Sequence, residues 1–138
     1  MVLHVKTAQI EIVRFSLKAN YNFLKAEWLR LPNSEEYRTG MSLICEEILT
    51  NTVWYVLVDV RKLGMPNVAD QVWSTGLVKN ALYRSEVKRI ATIMAGDIFQ
   101  QNMIQKMSVQ TRREYNLPYD SEFFLTESEA MEWLLDTF

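Results

Sequence analysis

Val53-Trp54-Tyr55-Val56-Leu57-Val58-Asp59-Val60 is apolar on both parities and rich in β-branched and aromatic residues. A strand with one wet face alternates polar and apolar side chains, whereas a strand apolar on both parities has to be covered on both faces. The run therefore reads as the central strand of a sheet flanked by helices. The rest of the chain is read outward from it.

Downstream, after a loop from Arg61 to Pro66, Asn67 with Asp70 three residues later gives a helix-start signal. Val68, Val72, Trp73, Leu77 and Ala81 follow it as a helical stripe, ending near Arg84. Val87 to Ala95 reads as a second buried strand closed by Gly96. Asp97 with Gln100 then opens a third helix carrying Phe99, Met103 and Met107. A polar stretch from Gln110 to Ser121, broken by Pro118, leads to a short strand, Glu122 to Leu125. Thr126-Glu127-Ser128-Glu129 is a capping box for a last helix bearing Ala130, Met131, Trp133, Leu134 and Phe138.

Upstream, Asn33-Ser34-Glu35-Glu36 forms another capping box, and Tyr37, Met41, Ile44 and Ile48 recur at helical spacing until Thr50-Asn51-Thr52. Phe23 to Leu31 alternates, with Leu24, Ala26 and Trp28 on one face and Lys25 and Glu27 on the other. In Gln9 to Leu17, Ile10 and Ile12 share one parity while Val13, Phe15 and Leu17 share the other, which a bulge near Ile12 and Val13 would reconcile. The expected architecture is α/β: one mixed sheet of about five strands, an N-terminal hairpin followed by β-α-β-α-β-α, with four helices covering it unequally and right-handed crossovers. A chain of 138 residues fits a single domain over 1–138.

The formal net charge is −2 and the basic residues are scattered, so no basic stripe exists to displace counterions from a nucleic acid. Cys45 is the only cysteine, which excludes an internal disulfide and fits a reducing compartment. Met1-Val2-Leu3-His4-Val5-Lys6 lacks a signal-peptide pattern and no stretch reaches membrane-spanning length, so a cytoplasmic location without membrane insertion is expected.

Catalytic chemistry finds little footing. His4 is the only histidine and lies near the terminus, too poorly held for a triad. Cys45 sits beside Ile44 inside the first helix, where a buried structural thiol is the ordinary outcome. The pairs Glu35-Glu36 and Glu46-Glu47 point apart on a helix. No metal-ligand spacing and no phosphate-cradling glycine pattern occurs, Gly64 and Gly96 standing alone after strands as turn formers, so neither metal nor cofactor is expected. Trp28, Trp54, Trp73 and Trp133 are placed mostly in the core. One convergence remains: Asp59, Arg61, Lys62, Asn67, Asp70 and Asp97 gather at the carboxyl ends of the parallel strands, where open α/β sheets bind ligands. Asp59, Arg61, Asn67, Asp70 and Asp97 are the candidate binding residues. Alternatively, Asp59 and Arg61 form a structural ion pair while Asn67 and Asp97 cap helices.

Val56-Leu57-Val58-Asp59-Val60-Arg61, the helix with Trp73, Lys88-Arg89-Ile90-Ala91, and Phe123-Phe124-Leu125-Thr126-Glu127-Ser128-Glu129-Ala130-Met131-Glu132-Trp133-Leu134 together resemble the STAS superfamily, and within it the SpoIIAA-like bacterial proteins. The resemblance implies a non-enzymatic regulatory module that binds a protein partner or itself as a homodimer. In anti-sigma-factor antagonists of this type a serine at the start of the helix after the central strand is phosphorylated. Here that region reads Asn67-Val68-Ala69-Asp70, with Ser74 and Thr75 about a turn further in, so no phosphoacceptor stands at the family position. The alternative is a carrier or sensor of a small apolar or amphipathic ligand, suggested by seven methionines. It calls for an enclosed apolar pocket of roughly 300 Å³ or more.

Overall fold

The computed structural model describes residues 5–9, 11–115 and 119–135, with side chains over 11–109 and 119–135. Its strands are β1 (Val5–Gln9), β2 (Val13–Lys18), β3 (Phe23–Trp28), β4 (Tyr55–Asp59), β5 (Arg89–Ile93) and β6 (Asp120–Phe124). Its helices are α1 (Ser34–Thr50), α2 (Val68–Tyr83), α3 (Ile98–Tyr115) and α4 (Glu127–Leu135). All six strands form one mixed sheet in the order β1-β2-β3-β4-β5-β6. β1, β2 and β3 form an antiparallel meander, and β3 to β6 run parallel. Among the described residues no helix is long and apolar enough to cross a membrane.

The single mixed sheet with four helices agrees with the sequence reading, but it has a sixth strand. The parity change at Ile12 and Val13 is not a bulge. It marks the end of a hairpin turn, because Gln9 of β1 pairs with Arg14 of β2; Ile10 lies outside the described residues. β3 also stops at Trp28 instead of running to Leu31, whose side chain is exposed. α3 continues to Tyr115, well into the polar stretch from Gln110, and β6 opens at Asp120. Pro118 and Phe138 lie outside the described residues.

β4 is covered on both faces, as its composition requires. Val56, Val58 and Val60 face the larger core with α1 and α2, while Tyr55 and Leu57 pack with Ala91, Ile93, Ala130 and Leu134 under α4. The meander adds Val13, Phe15, Leu17, Leu24, Ala26 and Trp28 to the larger core. Close approach of α1 to the sheet depends on Gly40. A Cβ there would lie 2.5 Å from Trp28 Cη2 and 3.0 Å from Val13 Cγ2.

Both sequence-read caps of α1 are present: the Asn33 side chain accepts from Glu36 N at 2.8 Å, and Glu36 Oε1 accepts from Asn33 N at 3.0 Å. α2 starts as expected, with Asn67 Oδ1 accepting from Asp70 N, yet its buried stripe is rotated. Asp70, Ser74, Ala81 and Leu82 face inward, while Val68 and Val72 are 73% and 70% exposed. The cause is polar: Asp70 and Ser74 bond to α1, and their partners fix the rotation of α2. Phe99 is likewise exposed, and the inward residue at the start of α3 is Gln100. Of the four tryptophans only Trp28 is sealed in the core. Trp54, Trp73 and Trp133 are half-buried beneath Lys88, Arg38 and Arg89 respectively, each cation within 5 Å of the ring centre.

Candidate functional site

At the carboxyl end of β4 the buried Asp59 carboxylate is gripped by its own neighbour. Arg61 donates from Nη2 at 2.6 Å, from Nε at 3.1 Å and from its backbone N–H at 3.0 Å. Burial works to raise the Asp59 pKa, but these donors outweigh it and hold the carboxyl below its usual value. Beyond it the loop turns at Gly64, whose φ of +72° favours glycine.

Asn67 and Asp70 do not join that pair. They line a surface cleft of about 310 Å³ between the starts of α1 and α2, with Ser34, Tyr37 and Leu63 in its wall. Asp70 accepts from Arg38 Nε at 2.8 Å and Ser34 Oγ at 2.9 Å, both from α1, and these bonds lower its pKa. One helical turn further, Ser74 Oγ receives the Tyr37 hydroxyl at 2.8 Å. Asp97 is exposed and accepts from Phe99 N at 2.8 Å at the start of α3. The five candidate residues thus fall into an ion pair (Asp59 and Arg61), a helix-to-helix tie (Asp70) and two helix caps (Asn67 and Asp97). Among the described residues no group of three or more His, Cys, Asp or Glu is placed to hold a metal ion.

The buried Asp59 and Asp70, together with Glu36 beside Arg30, are held below their usual values and set the acid behaviour. A carboxyl whose folded pKa lies below its unfolded value of about 3.9 contributes its full stability above that value and loses it as pH falls through the folded pKa. Urea midpoints should therefore drop steadily below about pH 5. Asp59→Asn should lower the midpoint at pH 7 and flatten its fall between pH 5 and 3, which equilibrium urea titrations followed by tryptophan fluorescence would measure. An unchanged slope would mean that Asp59 carries none of it.

The feature that sequence reasoning raised only as an alternative, without placing it, lies inside the larger core. Between the sheet and α1, α2 and α3 is a partly open cavity of about 190 Å³, with an adjoining chamber of about 140 Å³ that shares Met41, Val78, Leu82, Ile90, Thr92, Ile104 and Met107 with it. Trp28, Tyr37, Ile44, Cys45, Val56, Val58 and Met103 complete much of the main wall. Among the described residues no Lys, Arg, Asp, Glu or His lines either chamber. Burial pushes the Cys45 thiol up to about 11, so it stays protonated at neutral pH. The methionines carried the only sequence signal: Met41, Met103 and Met107 are unbranched and adaptable, and three of them converging from two helices leave an irregular wall.

No protein-family model and no curated protein matches the chain. Among solved structures it is similar to an uncharacterized protein of the DUF3478 family with a SpoIIAA-like fold from Shewanella loihica. The two share 18% identity at a TM-score of 0.51, over 96% of this chain and 93% of the other. A likeness that spans nearly both chains at so low an identity is one of backbone architecture, and on it this chain takes the SpoIIAA-like fold.

Proposed function

We propose that the protein is a non-enzymatic binding module whose occupant is a small, uncharged, mostly apolar molecule held between the sheet and α1, α2 and α3. One observation carries this reading: a cavity of about 190 Å³ whose wall is almost wholly apolar. A closed void of this volume costs on the order of 5 kcal/mol, at roughly 24 cal/mol per Å³, and the partial opening of this one lowers that cost. Water fills it poorly, because a buried water needs two to four polar partners. Neither chamber is enclosed or alone reaches roughly 300 Å³, so the pocket expected for a drug-sized ligand is not met and only a smaller molecule fits. Engineered apolar cavities of about 150 Å³ take benzene. The non-enzymatic part rests on the carboxylates: Asp59 and Asp70 are committed to Arg61 and Arg38.

The test is thermal unfolding with a neutral aromatic probe such as ethylbenzene. Binding at ten times its dissociation constant stabilises by about 1.4 kcal/mol, a rise of several degrees in midpoint. The methyl signals of Met41, Met103 and Met107 should move together. Unmoved methyl signals and an unchanged midpoint would refute the reading.

A second reading, self-association through α2, is favoured by the exposed Val68 and Val72 one turn apart. They border a groove between α2 and α3 of about 360 Å³ that also includes Gly76 and Met103. Equilibrium sedimentation should then show a dimer that Val72→Asp converts to monomer, with little change in stability because the site is a surface one. A monomer at every concentration rejects it.

A further inference from the structure

Where the two chambers meet we infer a polar anchor: the Thr92 hydroxyl donates to a neutral carbonyl or hydroxyl oxygen carried by the occupant. This rests on the cavity being a ligand site. Thr92 is 8% exposed, lies on β5 between Val58 and Phe123 on the sheet face turned to the larger core, and lines both chambers. Its Oγ1 has no hydrogen-bond partner among the described residues. It is not sealed either, because the Trp28 indole nitrogen is the only buried side-chain N or O among them that lacks both a partner and room for a water-sized contact. β4 and β6 flank Thr92 in the sheet, so the open side of Oγ1 faces the chambers.

The neighbouring hydroxyls are already paired. Tyr37 donates to Ser74 at 2.8 Å, Ser74 and Thr75 turn back to Gln71 O at 3.2 and 2.8 Å, and Ser108 and Ser121 face each other at 3.3 Å. Thr92 thus stands as an open donor on a stretch of sheet where Val56, Val58 and Ile90 supply the rest of the wall. Buried hydroxyls are nearly always satisfied, and one that is not calls for an explanation. Water is a weak partner, because a trapped water needs about two to four polar neighbours and the others here are bonded among themselves. Valine has the same branched shape without the hydroxyl, so packing alone gives no reason for threonine at this place. With no Lys, Arg, Asp, Glu or His among the described residues that line the chambers, a charged group on the occupant would lack a counter-charge. The ligand class is thus a small neutral ketone or alcohol, its oxygen at the junction of the chambers and its apolar body in the main one.

Acetophenone and ethylbenzene, nearly the same shape and differing in one carbonyl, separate this inference from the reading beneath it. Thr92→Val removes the hydroxyl and keeps a β-branched side chain, and Thr92→Ser keeps the hydroxyl. Titrations of the full chain should show the affinity ratio of acetophenone to ethylbenzene falling about tenfold in Thr92→Val, the worth of one buried hydrogen bond, and persisting in Thr92→Ser. The Thr92 methyl signal of the wild-type chain should move further with acetophenone than with ethylbenzene, which decides the matter even if a variant folds poorly. A ratio unchanged by Thr92→Val, with equal movement of that methyl signal, overturns the anchor while leaving an apolar ligand site standing. Failure of both probes to bind the wild-type chain overturns the site itself and the anchor with it.

Discussion

Gln100→Leu is expected to destabilise the protein by about 2 kcal/mol, lowering its thermal midpoint by roughly 6 °C. Gln100 is 2% exposed and makes three backbone bonds that no other side chain supplies in kind. Its Nε2 donates to Val60 O at 2.9 Å and Gly64 O at 3.0 Å, and its Oε1 accepts from Ala95 N at 3.0 Å. The amide thus ties the loop after β4 to the segment after β5 from the first turn of α3. Leucine fills the same space and orphans Gly64 O and Ala95 N, whereas the buried Val60 O keeps the Leu63 N–H at 3.1 Å. An unsatisfied buried group costs about 1–3 kcal/mol. Gly64 and Ala95 are half-buried and recover part of that cost from water. Gln101→Leu is the control, since Gln101 makes one bond, to Ala95 O at 2.9 Å, and should cost about 1 kcal/mol or less. Thermal and urea unfolding of both variants would measure the difference. A Gln100→Leu loss below 1 kcal/mol would mean that water replaces the clamp.

Gln100 also shows why some of this structure was legible in the sequence and some was not. The pairing of Asp97 with Gln100 reads as a helix start, and Asp97 does accept from Phe99 N; but the Gln100 side chain turns away to a loop 40 residues earlier. Local signals survive folding because both partners lie within one turn of chain, as in the Asn33 and Glu36 box. β4 was readable for a related reason, since helices cover both its faces and composition alone then suffices. α2 failed where tertiary partners override the apolar stripe: Asp70 turns inward to meet Arg38 and Ser34, and Val68 and Val72 turn outward with it. The hairpin from β1 to β2 was hidden because its turn, around Glu11 and Ile12, contains neither glycine nor proline to announce it. Of the candidate site, the ion pair of Asp59 and Arg61 was visible two residues apart. The cavity was foreshadowed only by the methionines and could not be placed, because packing density is a property of three helices and a sheet together and leaves no periodicity in any one of them.

Ala81→Leu should raise stability by about 1–2 kcal/mol and abolish binding of ethylbenzene. Ala81 is 2% exposed, belongs to α2 and lines the main chamber, so a larger side chain there grows into the void. Burying three further carbons gains about 0.8 kcal/mol each, against which fixing a leucine side chain costs about 0.5–1 kcal/mol. Alanine and leucine are both good helix formers, so α2 itself is nearly indifferent to the exchange. The opposite sign is equally informative, because an extra side chain forced into a filled core typically costs 1–3 kcal/mol. A destabilised variant would show that no space of this size persists in solution and would remove the ligand reading at its root. A stabilised variant that still shifts its methionine methyl signals with ethylbenzene would place the probe elsewhere. Stabilisation with loss of binding is the signature of a fold that keeps a void at the expense of its own stability, as expected when the space is kept for an occupant.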